Sequence, residues 1–248
     1  MESGMDQTDR LLGGRVILRQ PTEGYRVAVD AVLLAAAVDA QNGMRLLDLG
    51  CGVGSVSLCL AARLPQVEVT GLDREPTFIA FARENAALNA MSDRVTFIEG
   101  DVLNLPPTLS ERFDQVALNP PYLKAGSATV SAHPLKAAAT AEGDAKLADW
   151  VACARQALKP GARLTLIHRA DRLADVLAAL ARGFGAIRLL PIHPKRDRAA
   201  KRVLIAATQG SAEPMQLLPG LVLHADGGAF TAAAEAILRD AEPLAGLA

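Results

Sequence analysis

A glycine-rich turn follows one apolar segment, and its residue types suit the close approach of a ligand. The stretch LLDLGCGVGS places Asp48, Gly50, Gly52 and Gly54 between a predicted strand and a predicted helix. Glycines let a ligand approach the backbone, and a helix start presents N–H groups without partners. The spacing is one residue tighter than G-x-G-x-x-G, and an acid at this point does not suit a pyrophosphate. The loop therefore predicts a ligand with a positive group.

Two further acids lie at the ends of the next predicted strands. Asp73 ends VEVTGLD and Asp101 follows RVTFIEG. Asp73 comes 19 residues after Gly54, close to where dinucleotide folds place a ribose-binding acid. Each aspartate alone could be a helix cap or a turn former. Three acids at successive strand ends beside a glycine loop instead favour one shared site, because ligands of open α/β sheets bind at the carboxyl ends of the strands.

The fourth predicted strand, FDQVALN, ends in the motif Asn119-Pro120-Pro121-Tyr122. Proline fixes φ and has no N–H, so it cannot continue a central strand. A proline-rich β-turn is the plain alternative. At the edge that carries the acids, the motif also offers two rigid hydrogen-bond acceptors, the Asn119 side-chain oxygen and the Pro120 carbonyl, next to an aromatic ring.

A sheet is needed to bring these residues together. Apolar segments that read as strands alternate with helical patterns from residue 44 to residue 185, and two strands, 186–193 and 201–209, follow without a helix between them. This order predicts a doubly wound α/β fold with a mostly parallel, seven-stranded sheet whose last strand is antiparallel. Residues 123–143 are poor in large apolar groups and predict a functional lid or a disordered segment.

Together, DLGCGVG, Asp73, the GD at 100–101 and NPPY resemble the S-adenosylmethionine-dependent methyltransferases of the Rossmann-like class over residues 44–210. The resemblance implies that Asp48 and the glycines line the methionine part of the cofactor. It also implies that Asp73 binds the ribose hydroxyls and Asp101 the adenine, with Arg74 and Val102 as secondary contacts. An NAD-binding domain is the alternative.

The NPPY motif suits methyl transfer to an amino nitrogen on a planar group. Such a nitrogen is weakly nucleophilic because its lone pair is delocalised. Acceptors at Asn119 and Pro120 can hold its two N–H groups, and the prolines limit backbone freedom. Pro121 and Tyr122 are the predicted substrate contacts, with Tyr122 as a stacking face. The motif resembles that of enzymes acting on adenine N6, guanine N2 or a glutamine amide.

Residues 12–37 resemble the start of the bacterial tRNA adenine-N6 methyltransferases that modify a valine tRNA beside the anticodon. The resemblance implies that Tyr25, Arg26 and Asp30 close over the cofactor, and that RNA, most directly tRNA, is the substrate. Release-factor glutamine methyltransferases share NPPY but usually carry a separate helical N-terminal domain, and only 43 residues precede the fold here. A non-catalytic cofactor-binding module is an alternative from another class.

The charge is unevenly distributed along a chain whose net charge is −1. Residues 155–202 hold twelve Lys or Arg and three Asp, which leaves this region at +9. Lys195, Arg196 and Arg198, between the last two strands, are predicted to contact RNA phosphates, and a solvated turn is the alternative.

Composition limits the remaining function classes. No apolar run predicts a membrane span, the N-terminus is not a signal peptide, and three cysteines without a C-x-x-C pair suit a reduced cytoplasmic setting. No metal site is expected. Residues 1–43 are predicted to cover the cofactor site, and residues 211–248 either to pack on the sheet edge or to mediate dimerisation, so that the protein is a monomer or a homodimer.

Overall fold

The computed structural model describes residues 7–21, 29–122 and 143–247. Its strands, in chain order, are β1 (Gln7–Leu11), β2 (Val16–Gln20), β3 (Arg45–Leu49), β4 (Glu68–Asp73), β5 (Val95–Glu99), β6 (Phe113–Leu118), β7 (Leu158–Arg169), β8 (Phe184–His193), β9 (Arg202–Gln209), β10 (Gln216–Leu217) and β11 (Leu221–Val222). Its α-helices are α1 (Val29–Ala37), α2 (Ser55–Arg63), α3 (Pro76–Leu88), α4 (Leu147–Ala157), α5 (Leu173–Leu180) and α6 (Ala232–Arg239).

One sheet contains all seven predicted core strands. Its order is β10–β8–β9–β7–β6–β3–β4–β5, and β11 also pairs with β8. The strands from β7 through β6, β3 and β4 to β5 are parallel, and β9 is antiparallel to both of its neighbours. The predicted Rossmann-like sheet with an antiparallel last strand is confirmed. The chain reverses its direction of growth between β3 and β6, and ligands of such sheets bind at that point.

Different helices cover the two faces of the sheet. One apolar layer joins residues of α1, α2 and α3 to Leu46 of β3, and the other joins α4 and α5 to Leu47 and Leu49 of the same strand. Successive side chains of a strand point to opposite faces, so one strand supplies both layers. Burial on both faces explains why the strands read as continuous apolar runs rather than as alternating ones.

The β1–β2 hairpin is attached to the domain through two asparagines, Asn85 in α3 and Asn89 directly after that helix. Asn85 Oδ1 accepts from the Arg19 N–H at 2.7 Å, and Asn89 Oδ1 accepts from the Ile17 N–H at 2.8 Å. Both amides donate back to the carbonyls of the same two residues, at 2.9 and 2.7 Å. The two side chains, one helical turn apart, therefore act as a neighbouring strand for the edge of β2.

The C-terminal segment packs along the far edge of the sheet and over α1. Strands β10 and β11 pair in parallel with β8, and α6 contacts α1. The Leu244 N–H donates to the Ala36 carbonyl at 2.8 Å, and Leu247 is fully buried. Of the two roles predicted for this segment, packing on the sheet edge is observed, whereas dimerisation stays a prediction.

Several element boundaries differ from the prediction. Helix α4 begins at Leu147 instead of residue 144, and β7 begins at Leu158 instead of residue 162. The early start of β7 follows from pairing, because Leu158 faces Phe113 at the beginning of β6. Within the described ranges, no helix is long and apolar enough to cross a membrane.

Candidate active site

A cavity opens where the carboxyl ends of β3, β4, β5 and β6 meet. Its walls come from the glycine loop, the ends of β4 and β5, the NPPY motif and the first part of α4. The lining residues used below are Gly50, Gly52, Asp73, Arg74, Asp101, Val102, Asn119, Pro120, Pro121, Tyr122 and Trp150. The loop and the acids form what we call the cofactor half, and NPPY with its contacts forms the acceptor half.

The glycine loop takes a backbone that few other residues adopt. Gly50 has φ +77°, and a Cβ there would lie 2.7 Å from the Trp150 ring. Gly52 has φ +53° and faces open space, so a ligand can approach its backbone. Gly54 also has a positive φ of +86°, but its missing Cβ makes room for Phe97 at 2.8 Å rather than for the cavity. The predicted glycines therefore divide into two that line the site and one that packs behind it.

Asp73 joins the end of β4 to the loop. Its Oδ2 accepts from the Gly52 N–H at 2.8 Å, and its Oδ1 accepts from the Glu75 N–H at 3.0 Å. Burial raises its pKa above the usual value, against the effect of these two hydrogen bonds. Because a carboxylate has about four lone-pair sites, each oxygen can still accept from a hydroxyl in the cavity.

The remaining predicted contacts of the cofactor half also lie in the lining. Asp101 Oδ1 accepts from the Leu103 N–H at 2.9 Å and so shapes the turn after β5. Arg74, directly after β4, and Val102, in the turn after β5, also line the cavity.

Asp48 makes contacts that the sequence did not predict. It is 1% exposed and is absent from the cavity lining. Its Oδ2 accepts from the Ser57 N–H at 2.9 Å and from the Ser57 hydroxyl at 2.6 Å. Burial raises its pKa to about 7, against both of these bonds. Asp48 thus ties the end of β3 to the first turns of α2, and its expected contact with the methionine part stays a prediction.

Trp150 is a site residue that the sequence did not reveal. Its position in an amphipathic helix predicts a core side chain, yet the ring lies in the cavity wall against Gly50. Its indole Nε1 is buried and has no hydrogen-bond partner among the described residues. The sequence carries one signal for this contact, because Gly50 indicates a large neighbouring side chain. The sequence does not identify that neighbour as Trp150.

The NPPY motif forms the cavity wall of the acceptor half. Asn119, Pro120, Pro121 and Tyr122 all line the cavity directly after β6. The Tyr122 hydroxyl oxygen lies 2.6 Å from Asn119 Oδ1 and 3.0 Å from Asp30 Oδ2. Asn119 is therefore held at the cavity by the aromatic residue of its own motif.

Two distant side chains contact the Tyr122 ring, and one of them also pairs with Asp30. The guanidinium carbon of Arg202 lies 4.9 Å from the ring centroid, and the His168 ring meets it edge-on at 5.2 Å between centroids. Arg202 Nε donates to Asp30 Oδ2 at 2.9 Å. Burial disfavours the charge of Arg202, but Asp30 outweighs it and the pKa of Arg202 is raised.

This arrangement gives Asp30 contacts that the sequence did not predict, and its expected closure over the cofactor stays a prediction. The residue is 4% exposed, is absent from the cavity lining and lies behind Tyr122. The first turn of α1 faces β9 at this point, so the carboxylate meets Arg202 instead of the cofactor cavity. Tyr25 and Arg26, predicted to act with Asp30, lie outside the described residues, as does most of the predicted lid.

His168 lies at the end of β7 and is fully buried. Neither ring nitrogen has a hydrogen-bond partner of good geometry among the described residues. Burial, and then the charge of Arg172, lower its pKa to about 4. The imidazole is therefore neutral near pH 7 and serves as a packed face for Tyr122.

The basic turn between β8 and β9 lies at the same edge of the sheet as NPPY. Strand β8 runs parallel to β7 and β6, since β9 is antiparallel to both β8 and β7, so β8 ends on the side where β6 ends. Arg196 and Arg198 are exposed and Lys195 is half-buried, and all three lie outside the cavity lining. With strands about 4.8 Å apart, this turn lies roughly 10–15 Å from Asn119 along the edge.

The cavity fits S-adenosylmethionine on three observations. An acid with free lone pairs faces it at the end of β4, Gly52 leaves open space at the backbone, and an indole N–H in its wall has no partner in the part of the chain that the structure describes. No cluster that could hold a metal ion occurs in the described ranges.

Comparisons with known proteins agree with this geometry. The methyltransferase domain family matches residues 40–190. A tRNA1(Val) (adenine(37)-N6)-methyltransferase of Porphyromonas gingivalis is 34% identical over 72% of this chain and 72% of its own. One of Vibrio campbellii is 27% identical over 83% and 84%.

Two solved structures share the fold. A predicted O-methyltransferase of Agrobacterium tumefaciens has a TM-score of 0.71 and 30% identity, covering 84% of this chain and 94% of that one. TrmN of Thermus thermophilus has a TM-score of 0.52 and 25% identity, covering 72% and 48%. The chain therefore belongs to the methyltransferase domain family and is an S-adenosylmethionine-dependent methyltransferase.

Proposed function

We propose that this enzyme methylates the N6 amino group of an adenine in tRNA. The observation that carries the proposal is the position of Asn119 and Pro120 in the wall of the cofactor cavity, directly after β6. Relatives named tRNA1(Val) (adenine(37)-N6)-methyltransferase, at 27–34% identity over most of the chain, support the choice of adenine and of tRNA.

The cofactor half holds the methyl donor. S-adenosylmethionine supplies an electrophilic methyl group on a positively charged sulfur and leaves as S-adenosylhomocysteine. Asp73 accepts hydrogen bonds from the ribose hydroxyls, and Asp101 and Val102 hold the adenine end. The Gly50–Gly52 backbone and the Trp150 ring enclose the part of the donor next to β3.

The acceptor half orients the nitrogen that is methylated. The Asn119 side-chain oxygen and the Pro120 carbonyl accept from the two N–H groups of the amino group. The nitrogen lone pair then points at the methyl carbon, forms the N–C bond and displaces the sulfur, which keeps the electrons of the broken S–C bond. The alkylated nitrogen loses one proton to water.

Binding of tRNA uses the basic edge of the sheet. Lys195, Arg196 and Arg198 lie on the same edge as NPPY, which supports a contact of their charges with phosphates that steers the anticodon arm toward the cavity. A tRNA substrate places the reaction in the cytoplasm. The number of copies in the active enzyme, one or two, stays a prediction.

Other acceptors fit the site less well. A glutamine amide and guanine N2 are also amino groups on planar carbons, so NPPY accommodates them, and they are the outcomes that a substrate test must separate. A hydroxyl acceptor, as the name of the Agrobacterium tumefaciens protein indicates for that protein, has one proton to donate and would leave one of the two acceptors unused.

The proposal is tested with purified enzyme and labelled S-adenosylmethionine. We expect label in an unmodified transcript of a valine tRNA and none in the same transcript with guanosine in place of adenosine 37. A release factor is tested in parallel as the alternative protein substrate. Label in the release factor but not in the transcript would overturn the RNA substrate, and no cofactor binding by calorimetry would overturn the class.

A further inference from the structure

The hydroxyl of Tyr122 lies between two oxygens, and it has only one proton. As placed, the oxygen is 2.6 Å from Asn119 Oδ1 and 3.0 Å from Asp30 Oδ2. A phenol donates one hydrogen bond and accepts up to two, so it cannot donate to both neighbours. If the hydroxyl donates to Asp30, it can only accept a hydrogen bond from Asn119. If it donates to Asn119, the Asn119 oxygen accepts.

Asp30 is a stronger hydrogen-bond acceptor for that proton than Asn119. Its side chain is 6% exposed, and the same Oδ2 accepts from Arg202 Nε at 2.9 Å. Arg202 has only donors, and the Asp30 carboxylate that it pairs with is an acceptor. A carboxylate facing the lone pairs of Tyr122, with no proton between them, would be strongly unfavourable. The Tyr122 O–H therefore donates to Asp30.

Tyr122 then has only lone pairs left for Asn119. The oxygen and nitrogen of a terminal amide are told apart by the network that they enter, and an amide oxygen turned to Tyr122 would meet a lone pair with no proton between the two atoms. We infer that Asp30 and Arg202 are positioning residues: they orient the Tyr122 hydroxyl so that it accepts from the Asn119 side-chain N–H, which turns the Asn119 oxygen toward the methyl acceptor.

The direction of these hydrogen bonds determines which functional group of a substrate the Asn119 side chain can bind. Asn119 lines the cavity, and no hydrogen bond from the other end of its amide occurs among the described residues. An oxygen at that end accepts from an amino group. The reverse orientation would present N–H groups, which would repel an amino group and attract a keto oxygen. The Asp30–Arg202 pair thereby favours adenine over a purine with a keto group at the same position.

A double-mutant cycle tests the inference, which rests on the proposed function for its substrate. We expect Tyr122→Phe and Asp30→Asn each to lower kcat about 10- to 100-fold, the effect of one misdirected hydrogen bond, with the Kd for S-adenosylhomocysteine unchanged within about twofold. The double variant should be no worse than Tyr122→Phe alone, because Asp30 acts through the hydroxyl. Additive losses, or a weakened Kd, would overturn the assignment.

Two matched variants separate this role from stability. Arg202→Lys should retain more of kcat than Arg202→Met, since it keeps the charge beside Asp30. Asp114→Asn removes an aspartate that pairs with Lys159 at 2.6 Å at the opposite end of β6, and it should leave kcat unchanged. Equal losses in all these variants would mean that they act through folding.

A second measurement needs no substrate. In wild type, the side-chain amide of Asn119, labelled with ¹⁵N and assigned by its loss in Asn119→Ala, should show one N–H protected from solvent exchange. The protection should disappear in Tyr122→Phe. An unprotected amide in wild type would overturn the inferred direction, even if the enzyme were active. If wild type failed to methylate tRNA, the proposed function would fail while this measurement still decided the direction.

Discussion

The cofactor half and the acceptor half of the cavity are built in different ways. In the cofactor half, Asp73 reaches the Gly52 N–H 21 residues away, and most contacts go to backbone groups of the same loop or turn. In the acceptor half, Tyr122 meets a carboxylate 92 residues away, and that carboxylate meets an arginine 172 residues away.

This difference explains what each half demands of the sequence. A site made of backbone turns at strand ends needs glycines and acids at fixed spacing, so it leaves a motif. A site made of side chains from α1, β6, β7 and β9 leaves only separate residues, and the sheet order alone brings them together. Variants in the two halves should therefore separate donor binding from methyl transfer.

Asn119→Ala should give the largest effect. We expect the rate of transfer to fall by about 10²–10³-fold or more, comparable with the removal of one preorganised polar group at a reacting centre. The Kd for S-adenosylhomocysteine should change less than about twofold, because Asp73 and the loop remain. Calorimetry and single-turnover rates give the two numbers, and a parallel loss in both would erase the distinction between the halves.

His168 should make the acceptor half sensitive to acid. Its pKa is about 4 in the folded protein and near 6.5 when unfolded, so the unfolded chain binds more protons between these values. The stability contribution is thus lost as pH falls from 6.5 to 4, by about 3 kcal/mol. His168→Phe keeps a ring beside Tyr122 and should lose that much less in urea unfolding over this window. Parallel pH curves for both proteins would contradict the assignment.

Gly50→Ala should affect the cofactor half alone. Its Cβ would lie 2.7 Å from the Trp150 ring at a φ of +77°, so we expect the Kd for the cofactor to rise about tenfold or more through strain in the loop. Trp150 is the chain's one tryptophan, and its fluorescence gives the titration directly. Gly43→Ala is the control, because it has φ +80° with no atom within 4 Å. An equal rise in Kd for both variants would point to general strain.

Neutralising the basic turn should have the smallest effect of these variants, a modest loss of tRNA affinity at low salt. With Lys195, Arg196 and Arg198 changed to alanine, we expect tRNA to bind a few-fold more weakly and the slope of log K against log salt to fall by about 2. Filter binding over a salt series measures the slope.

The control for the basic turn lies at the other edge of the sheet. Arg45 is the first residue of β3, Arg112 and Arg182 precede β6 and β8, and all three are exposed. Changing all three to alanine therefore removes equal charge away from the cavity. An equal change of slope in both triple variants would mean that tRNA binding depends on the total charge and not on the position of the basic turn.

The extent of prediction from sequence follows the same division. Strand ends, the glycine loop and NPPY could be predicted, because propensity and spacing determine them locally. The contact of Arg202 with Asp30 could not, because it depends on β9 lying next to β7 in the sheet. The same holds for Asn85 and Asn89 along the hairpin. The hydrogen bonds of Asp48 to Ser57 were not predicted either, because the resemblance implied only a contact with the cofactor.

The central claim is methylation of an adenine amino group in tRNA by the acceptor half. Mass spectrometry of tRNA nucleosides tests it in a strain that lacks this chain. We predict the loss of one N6-methyladenosine, restored by the wild-type protein and not by Asn119→Ala. An unchanged N6-methyladenosine content in that strain, or full restoration by Asn119→Ala, would contradict the account.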